Sequence, residues 1–413
     1  MKRKCFVQKL AVMLTTLFLI ITVTACGKPK EVAEKRVIVV ANVGDFTGPV
    51  ASTTQSMLQG WLDYWAKINE EGGINGIPVK AVWGDGKGEV PTGVSAYKSI
   101  VARYKPATMV VTGSGICDAL KDDFIRDKIP SLGVSNTPYG IQPPAWTYNN
   151  VPCYADGLAG FALWAKKVVK KTPVRVCVAP FDYAAGREFL PAIDWIKKNV
   201  PEVKIVGPVW LPLMAVDLTS EATRIKKLKP DYVFIPHTVG GTALLYKSLK
   251  GVKFPINKCV AFWWAAGGNL LERAGAVAEG SLAQQPWAMP EEVEIPAIKA
   301  CVDWHEHLRF TRIIKGGVNY TQAWAAAMIH HEAIKRTLDA VGYSELTGEN
   351  VKKHGFNTLK DFDMKGIQGN VTFGEGTGPE TMRGNSNVFM YQVKGGKYVR
   401  IAEIPCPLVP VKK

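Results

Sequence analysis

The segment DFTGPVAS at residues 45–52 brings hydroxyl side chains and a glycine to the point where an apolar run gives way to a helical pattern. Hydroxyls and exposed backbone N–H groups beside a helix start can hold an anion. Similar small polar segments follow other apolar runs: TGSG (112–115), GVSNTP (133–138), FDYAAG (181–186), PHTVGG (236–241) and FWWAAGG (262–268). These residue types favour capture of an organic acid.

Short motifs that would indicate catalysis or a metal site are missing from the sequence. Neither G-x-x-x-x-G-K-[ST] nor G-x-S-x-G occurs, and GSGICD (113–118) breaks the dinucleotide fingerprint at its sixth place. The pairs His305–His307 and His330–His331 lack the i, i+4 spacing that two zinc ligands on a helix require. We therefore expect a binding protein rather than an enzyme, without metal or cofactor.

The N-terminus has the pattern of an export signal. Basic residues flank AVMLTTLFLIITVTA (11–25), an apolar stretch of 15 residues, whereas a membrane span needs roughly 20. Small residues lead to Cys26 and Gly27, which resembles a bacterial lipobox, in which the cysteine is acylated. We predict a signal peptide at 1–25, lipidation of Cys26, a polar tether at 26–35 and a periplasmic or extracytoplasmic protein anchored to a membrane.

Charge and cysteine content narrow the possible partners. The formal charge of +15 falls to +11 without residues 1–25, because that segment holds four basic and no acidic residues. The basic residues are scattered along the chain, and export also argues against a nucleic-acid partner. Six cysteines follow the predicted lipobox: Cys117, Cys153, Cys177, Cys259, Cys301 and Cys406. In an oxidising compartment some of them could form disulfides, and the sequence leaves their connectivity open.

Strand and helix patterns alternate along the chain. RVIVVANVG (36–44) is typical of a buried strand, and residues 55–70 place apolar side chains at helical spacing. The alternation restarts after residue 155, and NVFMYQVKGGKYVRI (387–401) predicts a hairpin with a Gly-Gly turn. This order predicts an α/β protein with parallel sheets in two successive lobes. Since ligands bind beyond the carboxyl ends of such strands, we expect a cleft between the lobes.

Several of these segments together resemble a known family. They are the lipobox, DFTGPVA, GGINGIPV, the F-D-Y-x-x-G turn and the closing G-N-V-x-F and V-F-M-Y-Q-V-x-x-G-K stretches. The chain resembles type I periplasmic-binding proteins over nearly its whole mature length. Within that group it is similar to the leucine/isoleucine/valine-binding family of ABC-importer solute-binding proteins, in lipoprotein form.

The resemblance implies two doubly wound lobes joined by a three-stranded hinge. Lobe one would comprise residues 36–154 plus 285–365, and lobe two residues 155–284 plus 366–405. The family holds an amino-acid carboxylate with backbone N–H groups and hydroxyls of lobe one and closes an aromatic residue of lobe two over it. The implied ligand-binding residues are Thr47, Thr53, Gly113, Ser114, Gly115, Ser135, Asn136, Tyr183, His237, Thr238, Trp263 and Tyr320.

One departure from the family leaves the ligand open. Members that bind α-amino acids place a carboxylate near the FWWAAGG segment, but here those positions hold Trp263, Trp264 and alanines. An ammonium could rest on an indole face, or Asp45 or Asp156 could replace the missing carboxylate. The ligand could also be an aromatic or other organic acid without an amine. At most one of the two adjacent tryptophans should reach the cleft, because neighbouring strand residues face opposite ways.

We therefore predict a lipid-anchored receptor that captures a hydrophobic amino acid, branched-chain or aromatic, and delivers it to ABC permease subunits. Two alternatives remain at this stage. The ligand could be an amine-free carboxylate, or the protein could be a ligand-sensing module for a membrane receptor, since one fold serves both roles. An exported hydrolase would need a nucleophile and base in the cleft, and no such motif occurs.

Overall fold

Two β-sheets organise the chain. The structure, a computed structural model, describes residues 36–134, 136–308 and 318–411, apart from the side chain of Ser52. The predicted signal peptide, the lipidation of Cys26, the tether and the candidate ligand residue Ser135 lie outside the described residues.

The first sheet has five parallel strands in the spatial order β2-β1-β3-β4-β5. Strand β1 lies in its interior, with Ile38 opposite Val79 of β2 and Val40 opposite Thr108 of β3. Most of β1 is buried, as expected for a parallel strand covered on both faces. The strands are β1 Ile38–Gly44, β2 Val79–Asp85, β3 Thr108–Thr112, β4 Ser131–Gly133 and β5 Thr147–Tyr148.

The second sheet has seven strands in the order β12-β11-β10-β9-β8-β6-β7. Strands β6 to β10 run parallel to one another, and the β11–β12 hairpin adds two antiparallel strands at one edge. The strands are β6 Val174–Val178, β7 Val203–Ile205, β8 Tyr232–Ile235, β9 Cys259–Ala261, β10 Leu282–Gln285, β11 Asn387–Lys394 and β12 Lys397–Pro405.

Helices flank both sheets. The helices that precede strand β5 are α1 Ala51–Glu70, α2 Val90–Tyr104, α3 Ser114–Ala119 and α4 Lys121–Asp127. The helices between strands β5 and β10 are α5 Tyr154–Val168, α6 Ala184–Arg187, α7 Leu190–Asn199, α8 Thr219–Lys227, α9 Val239–Gly251 and α10 Gly268–Ala274. The remaining helices are α11 Pro296–His307, α12 Val318–Val341, α13 Gly348–Asn350 and α14 Pro379–Met382.

Helices α1 and α12 form the main helix pair of the first lobe. The apolar stripe of α1 buries Trp61 and Trp65 completely or nearly so. Gly60 lets the helices approach, because a Cβ at this position would clash with the backbone oxygen of Tyr320 in α12. The 3.6-residue periodicity of residues 55–70 therefore has its cause in this packing.

The chain passes between the lobes three times. The first crossing follows β5, the second follows β10, and the third leads into β11. Gln368 connects all three, since its Oε1 accepts hydrogen bonds from Asn150 Nδ2 at 2.6 Å and from Trp287 Nε1 at 3.0 Å. The peptide of Asn149 also bonds to Met382 and Gly384, at 2.8 and 2.7 Å. These contacts make the crossings one connected hinge.

The fold class predicted from the sequence is confirmed: an α/β protein with parallel sheets in two lobes. The Gly-Gly hairpin is also confirmed, with Gly395 and Gly396 at its turn. The exact lobe boundaries stay a prediction. The six cysteines of the described chain are all buried free thiols, so the structure contains none of the pairs that the sequence left open.

Candidate functional site

A cavity lies between the lobes, beside the residues that follow the carboxyl ends of several strands. It spans about 510 Å³ including its open mouth. Lobe one contributes Val50, Thr53, Thr54, Met57, Thr112, Gly113, Ser114 and Val134. The opposite wall is formed by Tyr154, Phe181, Tyr183, Ala185, Thr238 and Trp264.

Hydroxyl groups dominate the polar part of the lobe-one wall. Thr54 donates to the backbone oxygen of Asp45, and Thr112 donates to Asn42 Oδ1 at 3.2 Å. Thr53 differs from them, because its hydroxyl is buried and has no hydrogen-bond partner in the structure. A buried hydroxyl without a partner is costly unless a ligand completes it. Thr53 is therefore a candidate ligand contact.

Replacing Thr53 by valine tests this contact. Valine keeps the shape of the side chain and removes only the unsatisfied hydroxyl. We expect protein stability to be unchanged or slightly higher, while ligand affinity falls by roughly 3–10-fold, the value of one hydrogen bond. Calorimetric titration and thermal unfolding measure the two effects.

The matched control is Thr242→Val. The Thr242 hydroxyl is also buried without a partner, but the residue does not line the cavity. Thr242→Val should leave affinity at the wild-type value. Equal affinities for Thr53→Val and wild type would remove Thr53 from the site.

Aromatic side chains form the wall of the second lobe. Tyr183 stacks on Phe181 with ring centroids 5.8 Å apart. Trp264 meets Phe181 edge-on at 5.4 Å and Tyr154 at 4.6 Å. Tyr183 is half-buried, and its pKa is raised by burial and then by the charges of Asp45 and Glu89. The wall is apolar and rigid, with one phenol at its edge.

His237 and Thr238 lie differently although they are neighbours. Thr238 lines the cavity and caps helix α9, where its hydroxyl accepts from Gly241 N. His237 is fully buried behind the wall, with its ring 5.2 Å from that of Phe181. Burial lowers its pKa to about 4, so it is neutral at pH 7. It does not line the cavity, and a role for His237 in ligand binding stays a prediction.

Three other candidate residues are also absent from the cavity wall. Trp263 is fully buried and lies against Gly157 and Trp287, while the adjacent Trp264 takes the position on the wall. Tyr320 donates its hydroxyl hydrogen to Asp63 at 2.7 Å inside the first lobe. Thr47 donates to Asp85 beside the cavity. Each of these side chains has an intramolecular role that the sequence does not reveal.

The remaining candidates occupy the rim or lie outside the described chain. Gly113 and Ser114 line the cavity, and Gly115 lines a second pocket that adjoins it. Asn136 is fully buried with a positive φ of 40°, and its amide nitrogen donates to Val134 O at 3.2 Å. Its Oδ1 has no hydrogen-bond partner in the structure.

Charge is distributed unevenly around the cleft. Among the described residues that line the main cavity, none carries a formal charge. The adjoining pocket shares Val50, Gly113, Ser114 and Tyr183 with it and adds Asp45 and Glu89. Asp45 is 3% exposed, and its Oδ2 has no hydrogen-bond partner in the structure. Its pKa is raised mainly by burial, against the lowering effect of the Gly48 N–H group.

Asp156, the other acidic candidate, is not available to a ligand. It is fully buried and pairs with Arg383 at 2.8 Å. The backbone N–H groups of Cys153 and Val409 also donate to its carboxylate. The residue therefore stabilises the hinge region.

Several residues of the cavity wall are not among those predicted from the sequence. The aliphatic ones, such as Met57 and Val134, carry no sequence signal that separates them from core residues. Phe181 and Trp264 were within the segments that were singled out, and the strand ends were their signal. In the described chain no three His, Cys, Asp or Glu residues come together as a metal site, and no helix there is long and apolar enough to cross a membrane.

Two parallel-sheet lobes around a solute-sized cavity define a bilobal binding protein. The family model described as periplasmic binding protein matches residues 37–397, and the chain belongs to that family. No curated protein matches the sequence significantly.

Solved structures share the fold. A branched-chain amino acid ABC transporter protein from Thermus thermophilus with bound valine is 20% identical, with a TM-score of 0.81 over 90% of this chain and 97% of that one. A fatty acid ABC transporter substrate-binding protein from Thermomonospora curvata is 17% identical, with a TM-score of 0.75 over 92% and 96%. A leucine-binding protein from Thermotoga maritima is 18% identical, with a TM-score of 0.71 over 89% and 99%.

Proposed function

We propose that this protein is the solute receptor of an ABC importer and captures a hydrophobic amino acid, branched-chain or aromatic, between its lobes. The observation that carries the proposal is the cavity itself, with neutral hydroxyl groups on one wall and aromatic rings on the other. The valine-bound structure from Thermus thermophilus shares this fold.

The two walls suit the two ends of such a ligand. The carboxylate would accept hydrogen bonds from Thr53 and Ser114, which lie on the same wall. Neutral donors can hold a carboxylate without a buried counter-charge. The apolar side chain would lie against Trp264, Phe181 and Tyr183. Burial of a leucine-sized side chain is worth about 1.5–3 kcal/mol.

Binding would act through closure of the lobes. A ligand that touches Ser114 and Tyr183 together makes both contacts only when the lobes are closed. It therefore shifts the population toward the closed state by its differential affinity for that state. The permease would then recognise the closed receptor.

An amine-free organic acid is the second candidate. It is favoured by the lack of any charged side chain among the described residues that line the main cavity. The fatty acid receptor from Thermomonospora curvata shares the fold. The amino-acid proposal instead depends on Asp45, whose unpartnered Oδ2 could pair with an ammonium group.

Matched ligand pairs separate the two candidates. Residues 27–413 would be titrated by calorimetry with leucine and 4-methylpentanoate, and with phenylalanine and 3-phenylpropanoate, after denaturation and refolding to remove bound solutes. The proposal expects tight binding of the amino acids and weak binding of their amine-free analogues. The reverse order would replace it with the second candidate, and failure of all four ligands would reject both.

Asp45→Asn is the corresponding prediction for the protein. Asparagine keeps an oxygen for the Gly48 N–H group, whose bond to Asp45 is 2.8 Å long, but removes the charge. Leucine affinity should fall by about tenfold or more, as one charge-assisted hydrogen bond is worth about 1.5 kcal/mol or more. Affinity for 4-methylpentanoate should not fall. An equal effect on both ligands would show that Asp45 only shapes its loop.

The lipid anchor belongs to the same proposal. Acylation of Cys26 would hold the receptor at the membrane beside its permease, with residues 27–35 as a polar spacer. Cells fed a labelled fatty acid should label the wild-type protein, and Cys26→Ala should remove the label. Persistent labelling of the alanine variant would contradict this site of attachment.

A further inference from the structure

Glu188 of the second lobe enters a socket in the first. It directly follows helix α6 and is 3% exposed. Ser114, Thr137 and Asp118 of lobe one lie close enough to act on its carboxyl group. We call Ser114, Asp118 and Thr137 the Glu188 socket. A glutamate at a helix end is normally solvated, but this one lies where helices α3 and α6 of the two lobes contact each other.

The socket lacks a hydrogen-bond donor for one oxygen of Glu188. Thr137 Oγ1 donates its single hydroxyl hydrogen to Asp118 Oδ1 at 2.9 Å, so it cannot give the same hydrogen to Glu188. Glu188 Oε2 is buried and has no hydrogen-bond partner in the structure. A buried carboxyl group without a donor favours its protonated form.

The groups around Glu188 do not provide a compensating cation. From the lobe-one side it is faced by Asp118 and Cys117 of helix α3, Tyr139 of the following loop and Cys153 at the start of α5. On its own element, Arg187 pairs with Asp182. Lys121 acts on Asp118.

Burial acts on both acids in the same direction. Burial raises the pKa of Glu188 well above its usual value, and Asp118 raises it further. Burial raises the pKa of Asp118 to about 6, although Thr137 and Lys121 lower it. Two nearby carboxyl groups can share a proton in this way.

We propose that closure of the lobes takes up one proton, held between Glu188 and Asp118, so that the receptor binds its solute and a proton together. When the lobes separate, Glu188 leaves the socket and returns to solvent, where it ionises as an ordinary glutamate. This inference rests on the closure described under the proposed function. It adds a proton as an obligatory partner of the closed state.

Ser114 connects the proton to the solute. It lines the solute cavity and lies close enough to act on the carboxyl group of Glu188. An ionised Glu188 can only accept and would hold the hydroxyl hydrogen of Ser114. A protonated Glu188 leaves that hydrogen available for an acid group of the solute. The proton therefore favours solute binding as well as closure.

The sign of the pH dependence follows from linkage. The closed state has the raised pKa and the open state the ordinary one of about 4.3. Solute affinity should be highest below pH of about 4 and fall as pH rises, by at most tenfold per unit. Solute affinity should become independent of pH once the pH exceeds the pKa that the carboxyl pair has in the closed state. An anionic solute captured without this socket would show no such fall.

Glu188→Gln is the decisive variant, because glutamine has the shape of the protonated acid and a permanent N–H donor for Thr137. Wild-type protein should take up a measurable fraction of a proton, at most one, per leucine bound at pH 6, measured by calorimetry in buffers of different ionisation enthalpy, and its affinity should fall about fivefold or more from pH 5 to pH 8. Glu188→Gln should take up none and show a flat profile. Asp118→Asn provides a second test of the same proton.

The matched control is Glu272→Gln, an exposed glutamate of helix α10 in the same lobe. It should keep the wild-type proton uptake. The proposal would be overturned if the wild type took up no proton on binding leucine. It would also be overturned if both Glu188→Gln and Asp118→Asn took up as many protons as the wild type.

A measurement on the ligand-free protein tests proton uptake independently of whether leucine is the ligand. Small-angle scattering of the ligand-free protein should give a smaller radius of gyration at pH 5 than at pH 8, and Glu188→Gln should remove the difference. If leucine fails to bind but this difference is present, the ligand is wrong and the socket stands. A wild-type radius that does not change with pH would count against the socket.

Discussion

Tyr183→Ala should weaken ligand binding by about 30-fold. The phenol stands at the edge of the aromatic wall, and its ring stacks on Phe181. Closure would bring this ring over a solute held by lobe one, so its contact exists mainly in the closed state. Buried aromatic residues that anchor an interface typically contribute about 2 kcal/mol or more, which corresponds to about 30-fold in affinity.

Tyr183 is a sharper choice for this test than Trp264. Trp264 contacts Tyr154, Phe181, Phe189 and Phe262, so its removal would also open a cavity in the core and cost stability. Tyr183 is half-buried at the end of the cluster. We expect thermal unfolding of Tyr183→Ala to stay close to that of the wild type.

Tyr183→Phe is the control for the hydroxyl. If the ring supplies the contact, phenylalanine should keep most of the affinity. If the hydroxyl donates to the ligand, phenylalanine should lose about as much as alanine. Calorimetry that finds wild-type affinity for Tyr183→Ala would exclude the residue from the site, whatever the ligand.

The arrangement of strands could be predicted because it depends on local pattern. Strand β1 is a continuous apolar run, helix α1 has an apolar stripe, and the chain alternates between the two types. Right-handed crossovers then leave little choice of topology. The positions of Ser114, Thr53 and Tyr183 on one cavity follow from the rule that ligands bind beyond the carboxyl ends of parallel strands.

The orientation of individual side chains could not be predicted in the same way. Trp263 and Trp264 lie in a turn after strand β9, which ends at Ala261, and of the two only Trp264 lines the cavity. Tyr320 is held by Asp63, which is 257 positions away in the sequence. Such choices are made by tertiary contacts that leave no periodic signal.

Glu188 shows a second limit of sequence analysis. In the sequence it lies beside Arg187 at a helix end and has the composition of a solvated surface. It is 3% exposed, and groups of the first lobe act on its carboxyl group. A residue whose environment is created by contact between lobes cannot be recognised from its own segment.

Arg383→Met should destabilise the protein by about 3–5 kcal/mol at pH 8. Arg383 is the cationic partner of Asp156, which is fully buried, and the two atoms of the pair are 2.8 Å apart. Methionine keeps much of the apolar stem but leaves an uncompensated buried carboxylate, which is the costly way to break such a pair. Urea denaturation measures the free energy of unfolding.

The loss should depend on pH in a defined direction. Burial raises the pKa of Asp156, and Arg383 opposes this, so the variant should have a still higher pKa at this residue. A group whose pKa is raised on folding favours the folded state at low pH and loses that contribution as pH rises through the folded pKa. The difference between wild type and Arg383→Met should therefore be largest at pH 8 and shrink toward pH 4, where Asp156 is neutral in the variant.

Arg126→Met is the matched control for the removal of an arginine. Arg126 is exposed and pairs with Asp123 and Asp127 on the surface, where an ion pair contributes about 0–1 kcal/mol. Its substitution should change the free energy of unfolding by less than about 1 kcal/mol at either pH. If Arg383→Met behaves like this control, the hydrogen bonds from Cys153 and Val409 alone are sufficient to hold an ionised Asp156 in the hinge. The three crossings would then be stabilised by backbone donors, with the arginine contributing only its apolar stem.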